Sequence, residues 1–356
     1  SARIGITDLL GEVVRAEALG WALGLPVSNP SAREEWERLL RDYPGRVPIE
    51  RIAQAVDRAL LDGGICPGGA SFESSWVDYD AGKPWHRLYN WSAVRAERRS
   101  LSDPKEQQQE QRLRAMLEAE ILLTAFHHMA RGFEGLGEGR ITYRPTPAAE
   151  PDLVLATEAI IRMLGVRGRH TRGDYYHPGT NDNLPRQVVT PYLGAVGIAP
   201  KAVTRELVDS GAGISSESGL FLRPEALSLE QPPANLSRVH RCPRCRAIFL
   251  VDYRYCPDCR PSGQTHPPTL VAEQFTREQD YYRRLATGFE GRPFRMHCEE
   301  LTGQTDAAER PGRQRRFQEV FVGGENALPE GVDVLSVTTT MEAGVDLGGL
   351  SAVLLA

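Results

Sequence analysis

Two C-x-x-C pairs, Cys242 with Cys245 and Cys256 with Cys259, lie ten residues apart in the stretch R-C-P-R-C-R-A-I-F-L-V-D-Y-R-Y-C-P-D-C. Each such turn aims two thiolates at one point, and a short apolar link between the turns brings all four together. Four sulfurs at about 2.3 Å form a closed tetrahedral shell for Zn²⁺ with no position left for a substrate. The ion is therefore expected to hold structure and to do no chemistry. A redox C-x-x-C is the rival reading, and two pairs at this spacing argue against it. The segments between the pairs, A-I-F-L-V and then Y-R-Y, are expected to fold back as a hairpin. His240 and His266 read as surface residues, since four thiolates complete the shell. Cys66 and Cys298 have no partner pattern and read as buried free thiols. Arg241, Arg244, Arg246, Arg254 and Arg260 crowd the ribbon, and both phosphate contact and plain scaffolding stay open for them.

Four of the six cysteines fall in this one segment, which suits metal binding in a reducing compartment better than a disulfide framework. A cytoplasmic location is the expectation. The opening S-A-R-I-G-I-T-D-L-L-G-E-V-V-R-A-E-A-L-G is too polar and too helix-periodic for a signal peptide, and no apolar run is long enough to cross a bilayer. With 42 basic and 47 acidic residues the formal net charge is −5, so no global basic field advertises nucleic acid. Any such binding must be local. A length of 356 residues with 41% hydrophobic content allows two or three separate cores.

Residues 1–150 read as a mainly α region, because apolar residues recur at helical spacing between stop signals. Leu9, Val13, Ala16 and Leu19 form one stripe; Ser31 caps a helix carrying Trp36 and Leu39; Ile49, Ile52, Val56 and Leu60 mark the next, closed by Gly63 and Gly64. The polar run from Asp103 to Arg114 leads into M-L-E-A-E-I-L-L-T-A-F-H-H-M-A-R-G-F as one long helix, exposed at its start and buried at its end. Its charges read as a solvated face.

After the linker T-P-A-A-E-P, residues 151–232 carry three helical segments, L-V-L-A-T-E-A-I-I-R-M-L-G, R-Q-V-V-T-P-Y-L-G-A-V-G and A-P-K-A-V-T-R-E-L-V-D-S-G. Then G-I-S-S-E-S-G-L-F-L-R-P-E-A-L-S-L alternates like a hairpin. Three helices and a hairpin outline a winged-helix-like module, in which the third helix commonly enters a DNA groove. Protein contact is the other use of such a module, and Arg167, Arg169, Arg172 and Arg186 keep DNA contact open. Proline clusters in Q-P-P-A-N and T-H-P-P-T set off residues 233–266 as a discrete zinc ribbon.

From about Thr269 short apolar runs alternate with polar helical ones, as in a parallel α/β sheet. P-F-R-M-H-C-E-E-L reads as a strand, D-A-A-E-R-P-G-R-Q-R-R-F-Q-E-V-F as a helix, V-D-V-L-S-V-T-T as a second strand and S-A-V-L-L-A as a third. Strand ends, where such folds collect function, carry L-T-G-Q-T at 301–305 and T-T-T-M-E-A-G-V-D-L-G-G at 338–349. The order H-C-E-E-L-T-G-Q-T, then a basic helix ending in R-R-F-Q, then D-V-L-S-V-T-T-T-M-E-A-G-V-D-L, resembles the second RecA-like domain of superfamily 2 DEAD/DEAH-type helicases. It is most similar to the large helicases of bacterial phage-defence loci such as DISARM. The matching motifs cover about 70 residues. The resemblance implies that Thr338 contacts a nucleic-acid phosphate, that Gly303, Gln304 and Thr305 form the earlier phosphate-contacting turn, and that Gly344 and Asp346 approach bound ATP. Residues 267–356 are then a partial second RecA-like domain. Small and hydroxyl side chains at strand ends let backbone N–H groups reach a phosphate, which agrees with those roles. A plain reading also stays open, in which T-T-T reflects strand propensity and G-V-D-L-G-G a turn.

The departures are as informative. No G-x-x-x-x-G-K-[ST] loop and no D-E-x-D or D-E-x-H box occur in the sequence, and it stops before an arginine-rich motif VI. S-A-V-L-L-A also ends abruptly as an edge strand. These features lead to the expectation of a fragment, inactive alone, of an ATP-dependent DNA helicase or translocase. In the parent, ATP and Mg²⁺ would lie between two RecA-like lobes. DNA and the rest of the helicase polypeptide are the expected partners, with room for other defence-system proteins and none for a membrane. The alternative is a non-enzymatic zinc-ribbon and winged-helix module that binds nucleic acid or a protein.

Overall fold

The computed structural model describes residues 45–69, 71–91, 96–127, 132–137, 139–173, 175–232, 236–259, 266–275, 297–301, 305–306 and 308–337. The helices expected around Leu9–Leu19 and Ser31–Leu39, and the strand expected at S-A-V-L-L-A, lie outside them. The chain is a mixed α/β protein with several small sheets. It divides into two compact units that interleave in sequence: residues 45–56 with 115–275, and residues 57–114 with 297–337.

In the first unit, helix Pro151–Gly165 is the central rod. Pro151 starts it where a missing N–H costs nothing, Asp152 sits in the positive first turn, and every residue from Ala156 to Gly165 is buried. Gly165 is required: a Cβ there would fall 2.3 Å from the Phe126 ring. Helix Arg186–Val196 closes on Gly197 at φ +74, and helix Pro200–Asp209 buries Val203 and Leu207. A hairpin follows, with Gly213–Ser216 antiparallel to Gly219–Leu222. Gly219 has φ +111, and a side chain there would meet the Asn183 carbonyl at 2.4 Å, so the turn needs glycine twice over. Leu193, Val203, Leu207, Leu220, Phe221 and Leu222 are all fully buried and make the common core.

The sequence reading departs from this unit in three places. The hairpin ends at Leu222, because Pro224 opens a 3₁₀ turn over Pro224–Ala226. Strand Leu227–Glu230 then pairs antiparallel with Arg46–Pro48 on one side and Arg140–Tyr143 on the other. A boundary at residue 150 would cut that sheet. Strand Pro178–Asn181, parallel to Gly213–Ser216, was hidden in H-P-G-T-N, whose proline and glycine read as loop. Glu206 ties these parts together, accepting from Tyr143 Oη at 3.1 Å, Thr146 N at 2.9 Å and Thr146 Oγ1 at 2.6 Å.

Residues 45–150 are less helical than expected. The polar-to-apolar helix does run from Pro104 to Ala125 but stops eight residues short of Phe133. The Gly/Ser/Trp-rich loop holds two small antiparallel pairs, Trp76–Asp78 with Lys83–Pro84 and Tyr89–Trp91 with Ala96–Arg98. In the second unit these pack around Leu61, Trp85, Leu88, Tyr89, Ala96 and Leu113. Tyr89 and Trp91 take strand positions, which suit aromatic rings, and Trp85 opens a 3₁₀ turn over Trp85–Leu88. Trp91 Nε1 is satisfied by the His86 carbonyl at 2.7 Å. Cys66 is half-buried, and burial pushes its thiol up to about 11.

The same unit carries Cys298–Leu301 and Val334–Val337 as a parallel pair, in register Cys298 with Val334 and Leu301 with Val337. Helix Arg310–Phe317 lies in the connection, as parallel pairing demands of a crossover. Arg313 joins helix to strand through Glu299 at 3.1 Å and the Glu300 carbonyl at 2.6 Å. Cys298, expected to be buried, is exposed, because its side chain takes an outer position of a short two-stranded edge.

Candidate metal centre

The four cysteines converge. Their sulfurs all lie within 4.8 Å of one another, with Cys242 Sγ 3.7 Å from Cys259 Sγ and Cys245 Sγ 3.6 Å from Cys256 Sγ. A tetrahedron of thiolates around Zn²⁺ at 2.3 Å has edges of about 3.8 Å, so the cluster already has the size of the shell. Cys242 and Cys256 are buried and the other two half-buried.

Each pair is set by a local turn. Strand Arg238–Arg241 runs into Cys242, whose N–H bonds the Ala247 carbonyl at 2.9 Å, and Cys245 N–H points at Cys242 Sγ at 3.5 Å. Arg246, directly after the first pair, is left-handed at φ 65, and Arg254, two residues before the second, at φ 63. The second turn is anchored by Cys256 N–H to the Pro268 carbonyl at 2.8 Å and Leu270 N–H to the Arg254 carbonyl at 3.0 Å. The expected hairpin between the pairs is replaced by a different one. Ile248–Phe249 pairs back onto Arg238–Arg241, Y-R-Y forms a single bridge from Tyr255 to Thr269, and Val271–Gln274 adds a third strand. The ribbon thus extends past residue 266 to Gln274, because the strand ahead of Cys242 needs a partner on both edges.

The thiols share protons. Hydrogen bonding from the Cys256 thiol draws Cys245 down to about 5, the same contact holds Cys256 far up, and burial pushes Cys259 up to about 12. A soft divalent cation binds such ligands as thiolates and displaces their protons. His240 is turned to Asp252 at 3.7 Å, and His266 is exposed beside Tyr255, so neither enters the cluster.

Behind the sulfurs lies a feature without a sequence signal. Asp258, inside the second C-x-x-C, receives Arg162 Nε at 2.9 Å and Nη2 at 2.8 Å from the last turn of helix Pro151–Gly165. Arg162 Nη1 reaches Glu134 at 3.1 Å, Glu134 Oε1 accepts from Leu250 N–H at 2.9 Å, and the guanidinium lies 4.8 Å from the Phe249 ring centre. Burial opposes the charge on Arg162, yet Asp258 and Glu134 outweigh it and hold the group protonated. Burial raises the Glu134 carboxyl, Arg162 offsets this only in part, and Asp258 adds to the rise.

Most of the other expected site residues fall elsewhere. Gly303, Gln304, Thr338, Gly344 and Asp346 lie outside the described residues. Thr305 follows strand Cys298–Leu301 and donates Oγ1 to the Glu300 carbonyl at 3.3 Å. Of the arginines that kept DNA contact open, Arg167 donates to the Met163 carbonyl, Arg169 to the Ser218 carbonyl while stacking on Phe221, and Arg172 to Glu118 and Glu225. Arg186 is exposed, in a groove of about 660 Å³ shared with Lys201, Thr204 and Arg205. Among the described residues no helix is long and apolar enough to cross a membrane.

Four converging sulfurs in two knuckle turns form a cluster of the size and chemistry that could hold a metal ion, carried here by a multidomain α/β protein. The chain is 27% identical over 173 residues to the Druantia protein DruE of Escherichia coli (strain UMEA 4076-1), a match covering 45% of this chain and 9% of that protein. No family profile and no solved structure matches.

Proposed function

We propose that this chain is a segment of a larger ATP-dependent, DNA-translocating motor of superfamily 2 type that acts in phage defence in the cytoplasm. The observation that supports the reading is the parallel unit Cys298–Leu301, Arg310–Phe317, Val334–Val337, whose two adjacent strands are followed in sequence by T-G-Q-T and T-T-T-M-E-A-G-V-D. That is where α/β folds gather phosphate-binding loops. The similarity to a Druantia protein, which belongs to phage defence, supports the setting. Thr305 and Thr338, with Gly303 and Gln304, would face the nucleic-acid backbone, and Gly344 and Asp346 the nucleotide. ATP and Mg²⁺ would complete the site against a first RecA-like lobe. The test is DNA-stimulated ATPase activity of the full-length protein carrying Asp346→Ala: turnover should be lost, and wild-type turnover overturns the motor.

A second reading has its own observation. Arg186, Lys201 and Arg205 line one groove of the winged-helix-like module and outnumber its two carboxylates, Asp182 and Asp209. A passive module would bind duplex DNA there in the absence of any ATPase activity in the full-length protein. Three phosphate contacts give a log–log salt slope of about −3. Lys201→Glu with Arg205→Glu should flatten that slope whichever reading holds.

A further inference from the structure

The ribbon sequence looks like a free-standing knuckle between proline clusters, yet its second turn reaches into the core of a neighbouring module. We infer that metal occupancy of the four-cysteine cluster sets the packing of helices Pro151–Gly165 and Arg186–Val196, so that the three-helix module senses the state of the ribbon. The inference rests on the four-thiolate reading of the cluster.

Three contacts carry it. Asp258 sits inside the turn that Cys256 and Cys259 make, and its carboxylate, 1% exposed, accepts from the Nε–Nη2 edge of the Arg162 guanidinium, 5% exposed. Tyr192, buried on helix Arg186–Val196, donates its hydroxyl to the Tyr253 carbonyl at 3.1 Å, three residues before Cys256. Arg254 pairs with Asp152 in the first turn of helix Pro151–Gly165 at 3.2 Å. The last is exposed and contributes little. The first two are buried and directional.

When the metal leaves, the Cys256–Cys259 turn loses the bonds that define it, and Asp258 loses its place. Arg162 then keeps a single carboxylate, Glu134, in a site closed to water. A buried cation half-stripped of its anions is strongly unfavourable, and the helix relieves it only by moving the guanidinium toward solvent. Binding linkage makes the effect reciprocal: a helix locked in place favours metal, and a loosened one releases it.

Hydrogen exchange read by mass spectrometry on the whole chain tests this, after zinc content is measured before and after chelation. Chelation that removes about one zinc should speed exchange about tenfold or more at 151–165 and 186–196, together with 236–275. Acceleration confined to 236–275 overturns the inference, as does uniform acceleration that includes 57–114 and 297–337. A chain that holds no zinc as purified fails the metal reading itself, a separate result. Asp258→Asn, which keeps all four thiolates, should retain the zinc while 151–165 exchanges fast with or without chelator. Arg162→Met, with the cation removed, should confine the chelation response to the ribbon. A wild-type response in both variants overturns the link.

Discussion

Asp258 and Arg162 form a bidentate ion pair, at 2.9 and 2.8 Å, between the second cysteine turn and the last turn of the helix at the centre of the first unit. Glu134 completes the set at 3.1 Å. Two carboxylates and one guanidinium out of water are stable only as a group. Arg162→Ala leaves both carboxylates without their cation, and the expected cost is about 3 to 5 kcal/mol. Urea unfolding of the zinc-loaded chain checks it, and a loss within 1 kcal/mol would show that water reaches the site.

Arg246 offers the opposite sign. It is exposed, it sits at φ 65, and its contacts are made by backbone: its N–H donates to the Cys242 carbonyl at 3.0 Å and its carbonyl accepts from Arg241 Nη1 at 3.3 Å. A non-glycine residue in that region stores of order 1 kcal/mol of strain. Arg246→Gly should therefore raise stability by about 0.5 to 1 kcal/mol, with zinc content unchanged. Denaturation midpoints compared at equal zinc saturation measure this.

His170 makes folding pH-dependent. It is 4% exposed, its Nδ1 has no hydrogen-bond partner among the described residues, and burial pulls its pKa from 6.5 to about 4, with Arg172 adding to the fall. The unfolded chain binds this proton first, so the contribution is fully present above pH 6.5 and is lost as pH falls toward 4. The loss is of order 3 kcal/mol. Thermal melts at pH 7, 5.5 and 4.5 should show the decline, and His170→Gln should flatten it.

The cluster itself makes a stoichiometric prediction. Purified chain should carry about one zinc, and Cys256→Ser should lower both zinc content and the yield of folded protein. Elemental analysis beside circular dichroism decides it, and full zinc retention by the serine variant would mean that three thiolates suffice.

The convergence of the four cysteines was legible from spacing alone, because two tight turns joined by a short link have few ways to meet. The helices at 151–165, 186–196 and 200–209 were legible from periodicity and from Pro151, Pro200 and Gly197 at their ends. What escaped was pairing at a distance. Strand Leu227–Glu230 finds partners almost two hundred residues upstream in Arg46–Pro48, and nothing local in L-S-L-E announces that. Neither Arg162, in an apolar helix, nor Asp258, inside a C-x-x-C turn, carries a local signal of the other. Their partnership exists only in three dimensions. The arginines at 167, 169 and 172 make the same point, since sequence shows a charge but not the carbonyls and carboxylates that it meets.

The interleaving of the two units bears on how the chain is made. The aromatic cluster around Trp85 and Tyr89 leaves the ribosome before strands Cys298–Leu301 and Val334–Val337 of the same unit, with roughly 180 residues of the other unit between them. At usual synthesis rates that is a wait of ~10 to 40 s. Leu61, Trp85, Leu88, Tyr89, Ala96 and Leu113 all come from the early half, so this half can bury its own rings during the delay, before its later partner strands exist.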